Sequence, residues 1–305
     1  MSNNNETTRQ PSPSLKERGV GGESKVSNLI VRTLTGIVFI AVMIGGIWYS
    51  PLTNALLFGV ITALATWEFT GIMNRQEDVE LNRFITTVAA LMLFLAFFGY
   101  TLAISPTLAF LPWLVSMVYL MIAELYLQRQ RPIVNWALTM MAQFYIAVPF
   151  GLLCILRTGS DMELYQLLRG DGAIVVLAIF VFLWCSDTGA YCTGSLIGRH
   201  KLFPRISPAK SWEGSLGGAV AALAASQVFN YYAPVFNSLE WAIFALVVVF
   251  FGTWGDLIES LLKRQIGIKD SGNILPGHGG MLDRFDSSLL AIPAVFIYLC
   301  TLAIL

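Results

Sequence analysis

The chain has 305 residues, 56% of them apolar and only 12% charged, with a mean hydropathy of +0.67. Soluble domains average ~25% charged residues, so a water-soluble globular protein is excluded, and a chain this apolar is not disordered along its body. Lys+Arg and Asp+Glu number 19 each, so the net charge is zero and no global basic field draws nucleic acid.

Residues 1–28 are polar and contain Gly, Pro and Ser without apolar periodicity. They read as a disordered tail rather than a signal peptide, because no short apolar run with a small-residue cleavage site opens the chain. A membrane helix needs ~20 mostly apolar residues. Nine stretches meet that need, near 30–49, 52–73, 84–103, 107–127, 133–156, 172–193, 213–232, 238–262 and 287–305. The fold class is therefore all-α, a polytopic integral membrane protein of about nine transmembrane helices. Ser105 and Pro106 interrupt the run between the third and fourth. In the seventh, Gly217, Gly218 and the following alanines are the small residues that let membrane helices approach closely.

Orientation follows from the cations. With the tail in the cytoplasm and nine alternating spans, 17 of the 19 Lys and Arg face the cytoplasm and only Arg157 and Arg169 face outward. The C-terminus then lies outside. The chain divides into a cytoplasmic tail (1–28), N-terminal transmembrane helices (29–170) and a C-terminal region (171–305) carrying two long cytoplasmic loops. These loops, 194–212 and 263–286, are rich in Gly and Pro and carry both histidines, His200 and His278. Long polar loops on a rigid scaffold are where function concentrates. Cys154, Cys185, Cys192 and Cys300 are scattered without a CxxC pair and read as small apolar side chains.

The candidate chemistry clusters late in the chain. Asp256, Ser260 and Lys263 follow one another at i, i+4 and i+7 on one helical face, with Glu259 and Arg264 beside it. A carboxylate inside an apolar run is costly and marks a functional site by default, which favours function for Asp256. Glu259 reads instead as an ion pair with Lys263. In HGGMLDRFD, His278-Gly279-Gly280 offers backbone N–H groups to an anion, and Asp283 and Asp286 point the same way on a helix starting there. Asp283 as a helix cap is compatible with this, but capping leaves Asp286 and the neighbouring cations unexplained. Clustered carboxylates are hard ligands suited to Mg²⁺, which completes its shell with water and phosphate oxygens. Asp256, Asp283 and Asp286 among Lys263, Arg264, Lys269, His278 and Arg284 point to metal-assisted chemistry on phosphates at a membrane surface. Asp187, deep in SDTGAY, reads as functional. Glu68 and Glu124 read as acids that snorkel or pair near helix ends, Glu68 with Arg75.

The run SLLKRQIGIKDSGNILPGHGGMLDRFD resembles the signature of the phosphatidate cytidylyltransferases, S-x-x-K-R-x4-K-D-x-G-x2-L-P-x-H-G-G-x2-D-R-x-D, at every fixed position. SDTGAY, GRHKLFPRISPAKSWEG and WGDLIES extend the likeness over roughly the last 125 residues; Ser195 and Ser211 depart from the residues common in the family. The resemblance implies transfer of a cytidylyl group from CTP to phosphatidate, giving CDP-diacylglycerol and pyrophosphate. It implies Mg²⁺ held by Asp256, Asp283 and Asp286, with K⁺ as a companion ion. Lys263, Arg264 and His278 would join them in catalysis. Ser260, Lys269, Asp270, Gly279, Gly280, Arg284, Ser207, Lys210 and Asp187 would bind substrate. It further implies a homodimer in the bacterial inner membrane with the site facing the cytoplasm. A secondary transporter should show internal repeats and a CDP-diacylglycerol-consuming phosphotransferase should carry D-G-x2-A-R, and the sequence shows neither; a lipid-binding scaffold would not need the three aspartates that the sequence carries.

Overall fold

A computed structural model describes residues 33–102, 106–159, 162–233, 235–272, 274 and 279–304. The expected tail (1–28) and His278 lie outside them. The elements in chain order are α1 (Thr33–Tyr49), α2 (Pro51–Met73), α3 (Arg83–Thr101), α4 (Pro106–Leu127), α5 (Pro132–Ala142), a π-helical turn (Gln143–Ala147), α6 (Val148–Thr158), α7 (Met162–Leu168) and α8 (Gly172–Ile197). A hairpin of β1 (Lys201–Phe203) and β2 (Ser207–Ser211) follows, then α9 (Trp212–Tyr232), α10 (Ser238–Gln265) and α11 (Leu282–Ile304). The protein is all-α in class and each of the nine predicted stretches falls on a helix. Among the described residues seven helices are long and apolar enough to cross a membrane; α1, 17 described residues long, and α9 are not among them. The chain is an integral membrane protein by this measure.

Local chemistry sets several boundaries. Ser50 caps α2 by accepting from Thr53 N, while Thr53 Oγ1 accepts from Ser50 N, and Pro51 fits the first turn where no N–H is needed. Asn237 and Glu240 form the same reciprocal box at α10. The π-helical turn precedes Pro149. Proline lacks the donor and crowds the preceding turn, so widening the helix for one turn relieves the clash. α5, this turn and α6 together form one 27-residue span, Pro132–Thr158, matching the single stretch expected there. Gly159, in the left-handed region at φ 60°, ends it.

The small residues predicted to bring helices together do so between α8 and α9. A Cβ on Gly217 would lie 2.1 Å from Thr193 Oγ1. Between α10 and α11 the approach is equally close: a Cβ on Gly255 would lie 2.7 Å from the Asp286 carbonyl oxygen. That contact sets Asp256 beside the first turns of α11. Phe285 anchors the other side of α11, buried at 2% exposure and edge-on to Phe150 at 5.4 Å and Phe180 at 6.1 Å. Burying Phe285 inward turns Asp283 and Asp286 the opposite way, toward a cavity. One large apolar cluster runs from α1 to α11 and joins the two halves of the chain.

Candidate active site

The site is built where α8, α10 and α11 meet the β-hairpin and the segment before α11. Asp187, Asp256, Asp283, Arg284 and Asp286 line one cavity of about 340 Å³, which also takes in Thr35 and Phe39 of α1. A second cavity of about 390 Å³ adjoins it through Asp187 and Ser287 and is lined by hydroxyls of α8 (Ser186, Ser195), β2 (Ser211) and α9 (Ser215), together with Lys210 of β2.

Asp256 lies on α10, where Ser260 Oγ donates to its Oδ1 at 3.1 Å. Its other oxygen pairs with Lys210 Nζ. Lys210 belongs to β2, and the hairpin carries it there: β1 and β2 pair antiparallel, Lys201 opposite Ser211 and Phe203 opposite Ser207, and Trp212 N donates to His200 O at 2.9 Å. Both partners are about a quarter exposed (26% and 28%), so this pair remains open to solvent and substrate.

Asp283 is more enclosed. Its Oδ1 accepts from Lys263 Nζ at 2.8 Å and from Ser271 N at 3.1 Å; its Oδ2 accepts from Ser271 N at 2.9 Å and Gly280 N at 2.9 Å. Lys263 also lies 2.5 Å from Glu259 Oε2, and the Glu259 side chain is fully buried. The expected Glu259–Lys263 pair is thus present, but it does more than close a helix end, because the same ammonium holds Asp283. Asp286 faces the cavity and accepts from Ser287 N at 2.5 Å.

Other predicted residues sit farther out. Arg264 is exposed, its Nε 3.5 Å from Ile206 O at the hairpin turn, away from the acids. Lys269 and Asp270 are exposed, and Ser207 opens β2 opposite Phe203. Gly279 adopts φ +83°, a conformation that glycine takes without strain.

The carboxylate oxygens are the donor type that suits Mg²⁺. A carboxylate offers about four acceptor positions, and those of Asp283 are met by four contacts, whereas Asp256 and Asp286 present oxygen to the cavity. Among the described residues no three His, Cys, Asp or Glu side chains converge as a metal shell on their own. The residues therefore fit a Mg²⁺ that takes one or two protein carboxylates and draws its other ligands from phosphate and water.

Of the two acids expected to snorkel or pair near helix ends, one does and one does not. Glu124 is buried and paired with Arg129 at 2.6 Å, a helix-end pair as expected. Glu68 neither snorkels nor pairs with Arg75. It is 6% exposed, and its Oε2 accepts from Leu282 N at 2.9 Å and Ser271 Oγ at 3.2 Å. The signal was available, since an acid within ATWEF is an intramembrane acid, but its partners are more than 200 positions away.

Comparison with known proteins identifies the family. The model of the "Cytidylyltransferase family" matches residues 30–302. The chain is 32% identical over 280 residues to a phosphatidate cytidylyltransferase of Staphylococcus aureus (strain COL), covering 88% of this chain and 98% of that one. It is 41% identical over 157 residues to a phosphatidate cytidylyltransferase of Staphylococcus haemolyticus (strain JCSC1435), covering 51% of this chain and 60% of that one. With its signature acids gathered on one cavity and the family match running through nearly every helix described, the chain belongs to the cytidylyltransferase family.

Proposed function

We propose that the protein transfers the cytidylyl group of CTP to phosphatidate at the cytoplasmic membrane face, giving CDP-diacylglycerol and pyrophosphate for phospholipid synthesis. The observation that carries this reading is the single cavity in which Asp187, Asp256, Asp283, Arg284 and Asp286 come together, with Lys210 and Lys263 on its acids. The lipid side has its own support. An apolar cavity of about 360 Å³ between α1 and α2 shares Thr35 and Phe39 with the acidic one, so an acyl chain held there leads to the reacting phosphate. The serine-lined cavity on the other side of Asp187 suits the more polar nucleotide.

In the reaction a phosphatidate oxygen attacks the α-phosphorus of CTP in line. The new O–P bond forms as the bond to the β-phosphate bridging oxygen breaks, and pyrophosphate leaves with that electron pair. A phosphate nucleophile is already ionised, so positioning and charge neutralisation carry the catalysis and no general base is assigned. Lys210, freed from Asp256 when phosphate arrives, and Arg284 offset charge on the triphosphate. Lys263, held between Glu259 and Asp283, keeps Asp283 in place. Asp256 and Asp286 would hold Mg²⁺, with Asp283 next to them, and the ion would supply charge neutralisation on the reacting phosphates. K⁺ and a homodimer rest on the resemblance alone. The cytoplasmic placement, with the C-terminus outside, rests on the distribution of Lys and Arg.

The test is pyrophosphate release by the purified protein in detergent with Mg²⁺, phosphatidate and each of four nucleoside triphosphates in turn. Release with CTP alone, dependent on lipid and metal, is expected. Release without phosphatidate, or equally with all four, contradicts the reading.

A further inference from the structure

Glu68 is a buried carboxylate that the signature does not contain and the proposed reaction does not use. It sits on α2, 214 positions from Leu282, in a run apolar enough to span a membrane. An ionised group there must be met by donors. Glu68 Oε2 takes two: the N–H of Leu282, an amide of the first α11 turn that has no helical partner, and the hydroxyl of Ser271. Oε1 has no hydrogen-bond partner among the described residues. The segment before α11 closes around the carboxylate on glycine: a Cβ on Gly272 would lie 2.5 Å from Oε1, and one on Gly280 would lie 2.6 Å from Oε2 and 2.1 Å from Ser271 Oγ.

Ser271 links the two acids, its hydroxyl going to Glu68 and its N–H to Asp283. The start of α11 and the signature segment are therefore held from two sides, by Lys263 with Asp283 on the α10 side and by Glu68 on the α2 side. We infer that Glu68 is a positioning residue for cytidylyl transfer: from the N-terminal half of the chain it fixes Ser271 and the first turn of α11, so that Asp283, Arg284 and Asp286 face the cavity. It acts through that segment and touches neither substrate. This inference rests on the function proposed above.

The test compares Glu68→Ala and Glu68→Gln in the full chain, by CTP-dependent pyrophosphate release and by amide hydrogen exchange in detergent. Hydrogen bonds to a charged group are worth enough that Glu68→Ala is expected to lower kcat by at least about tenfold while KM for CTP changes by less than about threefold. Exchange should accelerate at Ser271, Gly272 and residues 280–284 and stay unchanged in α8 and α9. Glu68→Gln keeps a carbonyl acceptor for Leu282 N and should recover kcat to within about threefold of the parent. Three results overturn the inference: Glu68→Ala with parental kcat, Glu68→Gln as inactive as Glu68→Ala, or exchange accelerated equally across α8–α10, which marks a general folding role. An inactive parent defeats the proposed function instead, and the exchange pattern then decides by itself whether Glu68 holds the segment.

Discussion

Replacing Asp283 with asparagine changes almost no volume and removes one charge where four contacts converge. The amide has one oxygen and one NH₂. Turned one way, NH₂ meets the Lys263 ammonium; turned the other, it meets the Gly280 N–H. In the better orientation the oxygen keeps Lys263 and Ser271, and one backbone donor is left facing a donor. Each hydrogen bond to a charged group contributes about 1.5–3 kcal/mol, and Lys263, at 13% exposure, loses one of its two anions. Removing one partner of a buried pair costs about 3–5 kcal/mol. About 3 kcal/mol is a fair middle value, and if it falls on the transition state the rate drops by about a hundredfold. The assay is kcat/KM for CTP by pyrophosphate release at saturating Mg²⁺, with size exclusion and thermal unfolding to show that the variant is folded. Folded Asp283→Asn within about threefold of the parent would refute the reasoning and remove Asp283 from the site.

Two further substitutions separate the site from the scaffold. Lys210→Met leaves Asp256 without its cation; because the pair is partly exposed, stability should change by no more than about 1 kcal/mol, while pyrophosphate release falls at least about tenfold through lost charge neutralisation. An unfolding temperature well below the parent's would contradict that separation. Gly217→Ala puts a methyl into Thr193 and should cost about 1–3 kcal/mol by pushing α8 and α9 apart, read as a lowered unfolding temperature in detergent. Thr193→Ala in the same background should restore part of it, and no recovery would show that the contact is not what was lost.

The sequence made the helices legible because apolar runs of membrane length have few alternatives to a helix. Their ends were less legible. α8 continues to Ile197 rather than 193, and α11 begins at Leu282 rather than 287, because Ser195 in the first and Asp283, Arg284 and Asp286 in the second face polar cavities and stay helical without being apolar. The β-hairpin at Lys201–Ser211 and the short α7 carried no periodic signal: three- and five-residue strands, one containing Pro208, are too short to alternate. Asp256, Asp283 and Asp286 could be read from spacing along one helix and one loop. Lys210 came from its motif, and its pairing with Asp256 depends on the hairpin. Glu68 could not be placed, because nothing near it in the chain reports that its carboxylate would meet Ser271 and Leu282.

The central claim is that one phosphorus of CTP passes to a membrane lipid, and labelled CTP tests it most directly. The purified protein is given phosphatidate, Mg²⁺ and CTP labelled at either the α- or the γ-phosphate, and the lipid is extracted. The account predicts α-label in the lipid fraction and γ-label in soluble pyrophosphate, with neither change in the absence of phosphatidate. Label entering lipid from the γ-phosphate, or α-label remaining wholly in soluble nucleotide while phosphatidate is consumed, would contradict it.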